Sequence, residues 1–166
     1  VYQGHLFVGD LLLSDSPMRH HPLTPMTDAS LVRVMQAQCR SERVGLVAHR
    51  DVSAGSAAIE ARLETLAGQG MRFAVVDGIG DGDLRTLAVA ARGLPLVVAG
   101  SGLAIGIPAL HGLAPSAQAA ALPVAGGAAA IVSGSCSAAT NAQVADFRAN
   151  GGAAFAVDPL RIAAGE

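Results

Sequence analysis

The 166-residue chain reads as an α/β protein of parallel-sheet strand-loop-helix units, the end of one α/β domain joined to the start of a second. Three observations predict this. Short apolar runs alternate with segments of helical apolar spacing, the rhythm of parallel strands joined by helices. Those runs end in small residues, Asp77-Gly78-Ile79-Gly80, Gly100-Ser101-Gly102 and Ser133-Gly134-Ser135, which suit tight turns from strand to helix. A content of 51% hydrophobic and 14% charged residues supplies a globular core and excludes a disordered or coiled-coil protein.

Taken in order, residues 2–8 read as a strand and residues 28–38 as a helix, with Thr27 or Asp28 as its cap and Leu31, Val34 and Met35 on one face. Between them Met18-Arg19-His20-His21-Pro22-Leu23-Thr24-Pro25-Met26 is too rich in proline for a helix and too polar for a core strand, so an ordered loop is expected. Residues 45–48 form the next expected strand. The helix after it spans 53–66, where Ile59, Leu63 and Leu66 fall at helical spacing. Residues 73–76 and then 81–91 repeat the pattern, and 96–99, 128–132 and 153–157 are further expected strands. Residues 106–127 carry Pro, Gly, Ala and Ser without charge and read as a hinge or linker, which puts a boundary near residue 122. A start at Val1-Tyr2-Gln3-Gly4 without methionine, and an end at Gly165-Glu166 just past an apparent strand, read as cuts through a longer protein.

Composition narrows the partners. A net charge of -2, no cluster of basic residues and 3% aromatic residues leave no footprint for nucleic acid. No apolar run approaches the ~20 residues that span a bilayer, and residues 1–20 lack the pattern of a signal peptide, so no membrane association and a cytoplasmic address are expected. The two cysteines, Cys39 and Cys136, lack metal-ligand spacing, and no metal ligand is assigned in the sequence. All eleven basic residues are arginine, which removes any catalytic, Schiff-base or phosphate-loop lysine from this segment.

Ser133-Gly134-Ser135-Cys136-Ser137 carries the strongest chemical signal. It follows a β-branched run and opens a helix that includes Thr140, so unpaired amides, hydroxyls and the positive end of the helix dipole converge as they would on a phosphate. Helix capping by one serine is the plainer reading, but it leaves the other hydroxyls unexplained. Cys136 in the same turn offers a second chemistry, a nucleophile with a thiolate favoured by the helix end, as in a cysteine-dependent amidase or hydrolase. A non-catalytic module that binds a phosphate ligand is a third reading.

Gly100, Ser101 and Gly102 end an expected strand where open α/β sheets receive ligands, although the full dinucleotide fingerprint fails. Asp77, Asp81 and Asp83 cluster after another strand, where they could serve a cation or a general base. First-turn capping by Asp81, with Asp77 closing a turn with Gly78, is the favoured reading. Arg19 with His20 or His21 suits a substrate carboxylate better than a metal, because adjacent side chains in an extended loop diverge.

Gly4-His5-Leu6-Phe7-Val8-Gly9-Asp10, Met18 followed by His21-Pro22-Leu23-Thr24-Pro25-Met26-Thr27-Asp28, Gly100-Ser101-Gly102-Leu103-Ala104, and the serine turn followed by Thr140-Asn141-Ala142-Gln143 belong together. Over essentially the whole chain they resemble an internal piece of the four-carbon acid sugar kinases, the former DUF1537 family of 3-oxo-tetronate, erythronate and threonate kinases. The resemblance implies a two-domain enzyme that phosphorylates a small-molecule sugar acid with ATP and Mg2+. Residues 1–122 would end the sugar-acid-binding domain and 123–166 would begin the nucleotide-binding domain. Ser133, Gly134, Ser135, Ser137 and Thr140 would meet the nucleotide phosphates. Gly100, Ser101 and Gly102 would lie at the cleft, with Arg19, His20 and His21 on the substrate side. The family's Asp-Asp-x-Thr-Gly motif and its late glycine-rich motifs have no match here, so the isolated segment is expected to be inactive. The resemblance names no catalytic residue, and a homo-oligomer stays open.

Overall fold

The computed structural model describes residues 1–124, 126–135 and 137–165. The chain divides into two compact units, Val1–Ala120 and Ala121–Glu166.

The first unit opens with a tight reversal in which Tyr2 and His5 exchange backbone hydrogen bonds. Only the end of the expected strand at 2–8 is one. β1 (Phe7–Val8) pairs antiparallel with β2 (Leu11–Leu12) across Gly9, which takes φ 59° in the turn. Two short 3-10 turns follow at Leu13–Asp15 and Pro17–His20, pinned by buried Ser16, whose hydroxyl donates to the Leu13 carbonyl at 2.8 Å. α1 is Leu31–Gln36, capped by Ser30 rather than by Thr27 or Asp28. The carboxylate of Asp28 is already taken, since it accepts the Ser30 amide at 2.9 Å and the Arg33 guanidinium through two bonds of 2.8 and 2.7 Å.

The core of this unit is one βαβ module. β3 (Arg43–Val47) leads through α2 (His49–Ser53) and α3 (Ser56–Gly68) to β4 (Met71–Val76), which lies parallel to β3 with Val44 opposite Phe73 and Val47 opposite Val76. The single helix expected at 53–66 is broken at Gly55, which adopts φ 106°, a conformation costly for any residue with a Cβ. Val47, Val52, Ile59, Leu66 and Ala90 form the buried cluster. Gly45 is fixed by packing: a Cβ there would lie 2.7 Å from Cδ2 of Leu66. α4 (Asp81–Ala91) follows β4 as expected.

The run at 96–99 is not a strand, and Leu96 and Val98 are 77% and 87% exposed. Apolar, β-branched composition favours extended backbone, but a strand closes only on a hydrogen-bonded neighbour, and none aligns with this run among the described residues. Residues 106–110 are not linker either. A 3-10 turn (Ser101–Ile105) and α5 (Ile107–Leu110) pack on α4, close enough that a Cβ on buried Gly106 would meet the Ala88 Cβ at 2.6 Å. A last 3-10 turn lies at Ala117–Ala120.

The second unit holds α6 (Ala138–Ala149) and α7 (Pro159–Ala163). The strands expected at 128–132 and 153–157 are absent among the described residues, for the same want of a pairing neighbour. Ile131, Val132 and Phe155 are exposed. The α/β class therefore stands on the parallel β3–β4 pair and its helices, with fewer strands than the hydrophobic runs suggest.

Candidate functional site

The polar chemistry of the first unit gathers where β3 and β4 end, the edge at which parallel α/β sheets present their loops to ligands. Asp77, the residue after β4, is 1% exposed, and its carboxylate accepts three backbone amides. Gln3 donates to Oδ2 at 2.6 Å, Gly4 to Oδ1 at 2.8 Å and His49 to Oδ2 at 2.9 Å. Positive φ angles at Gln3 (49°) and Gly4 (72°) turn two consecutive amides toward the same carboxylate. Three charge-assisted donors make this buried anion tolerable without a cation. Asp77 thus ties the N-terminal reversal and the start of α2 to the sheet, a larger task than closing a turn with Gly78.

His49 begins α2 directly beyond β3, and its Nε2 lies 3.2 Å from Oδ2 of Asp83. Asp83 also accepts the amides of Ile79 at 2.9 Å and Gly80 at 3.2 Å, so Asp83 rather than Asp81 covers the amides at the start of α4. The Ile79 amide, joined by that of Gly80 and by His49, holds the Asp83 carboxyl below its ordinary value against the opposing effect of burial. A carboxylate can only accept, so His49 donates from Nε2 and Nδ1 carries the lone pair of the neutral ring. Nδ1 has no partner among the described residues. The Tyr2 ring stands 5.8 Å from the imidazole at 56°. On α2, Oδ2 of Asp51 is buried without a hydrogen bond among the described residues, while Oδ1 sits 3.8 Å from Nε of the largely exposed Arg50.

The residues singled out from sequence occupy several places. Arg19 donates to the Ser14 carbonyl at 3.2 Å, His20 is exposed, and Nδ1 of half-buried His21 accepts the Thr24 amide at 3.1 Å. Gly100 and Ser101 are exposed, whereas Gly102 lets its turn approach α4, since a Cβ there would lie 3.2 Å from Cδ1 of Leu84. No hydrogen bond among the described residues joins residues 19–21 to residues 100–102 or to the strand ends.

In the second unit Ser137 caps α6, its hydroxyl accepting the Thr140 amide at 3.2 Å and donating to Thr140 Oγ1 at 2.9 Å. Ser135 Oγ accepts the Ser137 amide at 3.2 Å, and Ser133, Gly134 and Ser135 are exposed. Gly134 does not take a positive φ, so what it offers a ligand is the missing Cβ. Hydroxyls and amides at a helix start fit phosphate oxygens. Cys136 lies outside the described residues. Among the described residues no group of three or more His, Cys, Asp or Glu could hold a metal ion, so this donor set offers Mg2+ no cage. His49 and its link to Asp83 escape a reading of the sequence, although a histidine directly after a strand and an aspartate closing Asp77-Gly78-Ile79-Gly80-Asp81-Gly82-Asp83 are the available signals.

A parallel βαβ module with a polar carboxyl edge is the setting of a small-molecule-binding α/β domain, and residues 1–107 match the model of the family described as Sugar-binding N-terminal domain. The chain belongs to that family. Across its whole length it is 46% identical over 170 residues to a 3-oxo-tetronate kinase of Cupriavidus necator and 47% identical over 169 residues to one of Pseudomonas fluorescens. It spans 39% of the length of either relative. The crystal structure of Haemophilus influenzae protein HI1011, of family DUF1537, superposes on 90% of this chain with a TM-score of 0.70 at 42% identity, the match covering 36% of that protein. No helix among the described residues is long and apolar enough to cross a membrane.

Proposed function

We propose that the whole protein carrying this chain phosphorylates a four-carbon sugar acid of the 3-oxo-tetronate, erythronate or threonate type, with ATP as donor and Mg2+ as its counterion, in the cytoplasm. The observation that carries this reading is the 46% identity to a 3-oxo-tetronate kinase across the full length of the chain. Residues 1–122 belong to the sugar-acid side and 123–166 open the nucleotide side. Phosphoryl transfer asks mainly for positioning and charge stabilisation, so a segment without lysine can serve it through backbone amides, hydroxyls and arginine.

In this reading Ser133, Gly134, Ser135, Ser137 and Thr140 receive the nucleotide phosphates, whose donors the exposed serine turn supplies. Gly100, Ser101 and Gly102 line the cleft, and Arg19, His20 and His21 face the sugar acid. ATP brings the transferable phosphoryl group, and Mg2+ neutralises its charge. An enzyme-linked ADP-release assay of the whole protein with 3-oxo-tetronate, erythronate and threonate tests the reading. Turnover with at least one of these acids is expected, and none with any of them refutes it.

A further inference from the structure

We propose that His49 is the general base of the sugar-acid phosphorylation, its Nδ1 taking the proton of the acceptor hydroxyl, and that Asp83 is the positioning residue that holds the ring. The inference rests on the kinase reading above. It starts from the bond of 3.2 Å between His49 Nε2 and Asp83 Oδ2 at the carboxyl ends of two parallel strands. Asp83 is itself anchored by the Ile79 and Gly80 amides. A carboxylate locked in place by two amides fixes both the orientation and the tautomer of the imidazole, directing the lone pair of Nδ1 away from the pair. The same carboxylate stabilises the imidazolium that forms when Nδ1 takes a proton.

The arrangement selects a hydroxyl of the substrate. Of the groups on a four-carbon sugar acid, the carboxylate and any ketone can only accept hydrogen bonds. A hydroxyl is the group that donates to a lone pair. As the hydroxyl oxygen bonds to the γ-phosphorus, the bond from that phosphorus to the bridging oxygen breaks to release ADP. The hydroxyl proton passes to His49 Nδ1 and then to solvent. The groups in contact with His49 are Tyr2 from the N-terminal reversal and Asp83 on α4 at the ring and Asp77 after β4 at its amide, with Arg50 and Asp51 following it along α2. Asp77 already accepts three amides, Asp83 is engaged by two amides and the imidazole, and the unbonded Oδ2 of Asp51 is buried, so the half-buried histidine is the base this cluster offers a substrate.

The test uses the whole kinase, its sugar-acid substrate and ATP. His49→Gln keeps a side-chain amide that can donate to Asp83, so a purely structural link survives the change. Its kcat is expected to fall by roughly 10²–10⁴-fold, the range of a lost general base, with the KM for ATP unchanged. Added imidazole should restore part of the kcat of His49→Gly and leave the wild type unaffected. Asp83→Asn should lower kcat by roughly ten- to a hundredfold through loss of tautomer control, again without moving the KM for ATP. A wild-type kcat in a folded His49→Gln protein, or a His49→Gly protein deaf to imidazole, overturns the inference while leaving the kinase reading intact. Absence of turnover in the wild type with any four-carbon acid overturns both.

Discussion

Replacing Asp77 by Asn keeps shape and volume and changes only which atoms can accept. In the wild type Oδ2 serves Gln3 and His49, and Oδ1 serves Gly4. An Asn side chain has one acceptor oxygen and one NH2. In its better orientation the oxygen keeps Gln3 and His49, and the NH2 faces the Gly4 amide, donor against donor. One buried amide is then orphaned at about 1–3 kcal/mol, and two charge-assisted bonds become neutral ones at about 1 kcal/mol each. The total is ~3–5 kcal/mol, localised at residues 3, 4 and 49. Native-state hydrogen exchange of the whole protein, read by mass spectrometry on peptides covering residues 1–6 and 48–52, reports this local loss directly. Exchange there should accelerate by roughly two to three and a half orders of magnitude, at about 1.4 kcal/mol per tenfold. The α3 amides should change far less. If the two peptides exchange within about tenfold of wild type, the three-amide anchor does not hold the edge and the reasoning fails.

Other perturbations probe separate parts of the chain. Gly45→Ala would press a methyl group against Leu66 and should cost about 1–3 kcal/mol, most of it recovered in the double variant with Leu66→Val; additive losses in a thermal-unfolding cycle would sink the packing argument. The Arg33 guanidinium pairs with Asp28, and together with the Ser30 amide it lowers the Asp28 carboxyl to about 2. Because that folded value is depressed, the stabilisation is complete above the unfolded value near ~4 and drains away as pH falls toward about 2. Asp28→Asn should therefore flatten the stability-pH curve in that window, and an unchanged acid slope contradicts the assignment. In the whole protein Ser135→Ala should weaken nucleotide parameters by roughly ten- to a hundredfold, the worth of ~1.5–3 kcal/mol for a bond to a charged phosphate. The sugar-acid dissociation constant measured without nucleotide should stay put, and a Ser135→Ala protein with wild-type ATP kinetics would reduce the turn to a helix cap.

Helical segments are legible in the sequence where periodicity and a local start signal agree. Residues 81–91 match α4 because a glycine turn with an aspartate in the first helical turn is local chemistry. The break at Gly55 is less legible, since the apolar positions of α2 and α3 run on with one spacing while a single backbone angle interrupts the helix. Three apolar runs, at 96–99, 128–132 and 153–157, read as strands because composition reports extended preference, whereas a strand is a relation between two segments. The serine turn is legible as a helix start. The His49–Asp83 pair is not, because its members lie 34 positions apart and meet only once β3 and β4 align.

The interruption at Gly55 also separates two kinds of sequence change. α2 is joined to the core through Val52, its one buried side chain, whereas α3 contributes Ile59 and Leu66 to the interior. A continuous helix would have made any alteration near His49 a matter for the whole packed face. With the chain bent at Gly55, positions 50, 51 and 53 can be rewritten at the strand ends while Ile59 and Leu66 keep their seats. Point substitutions on α2 can thus reshape the surface at the strand ends and leave the interior unchanged.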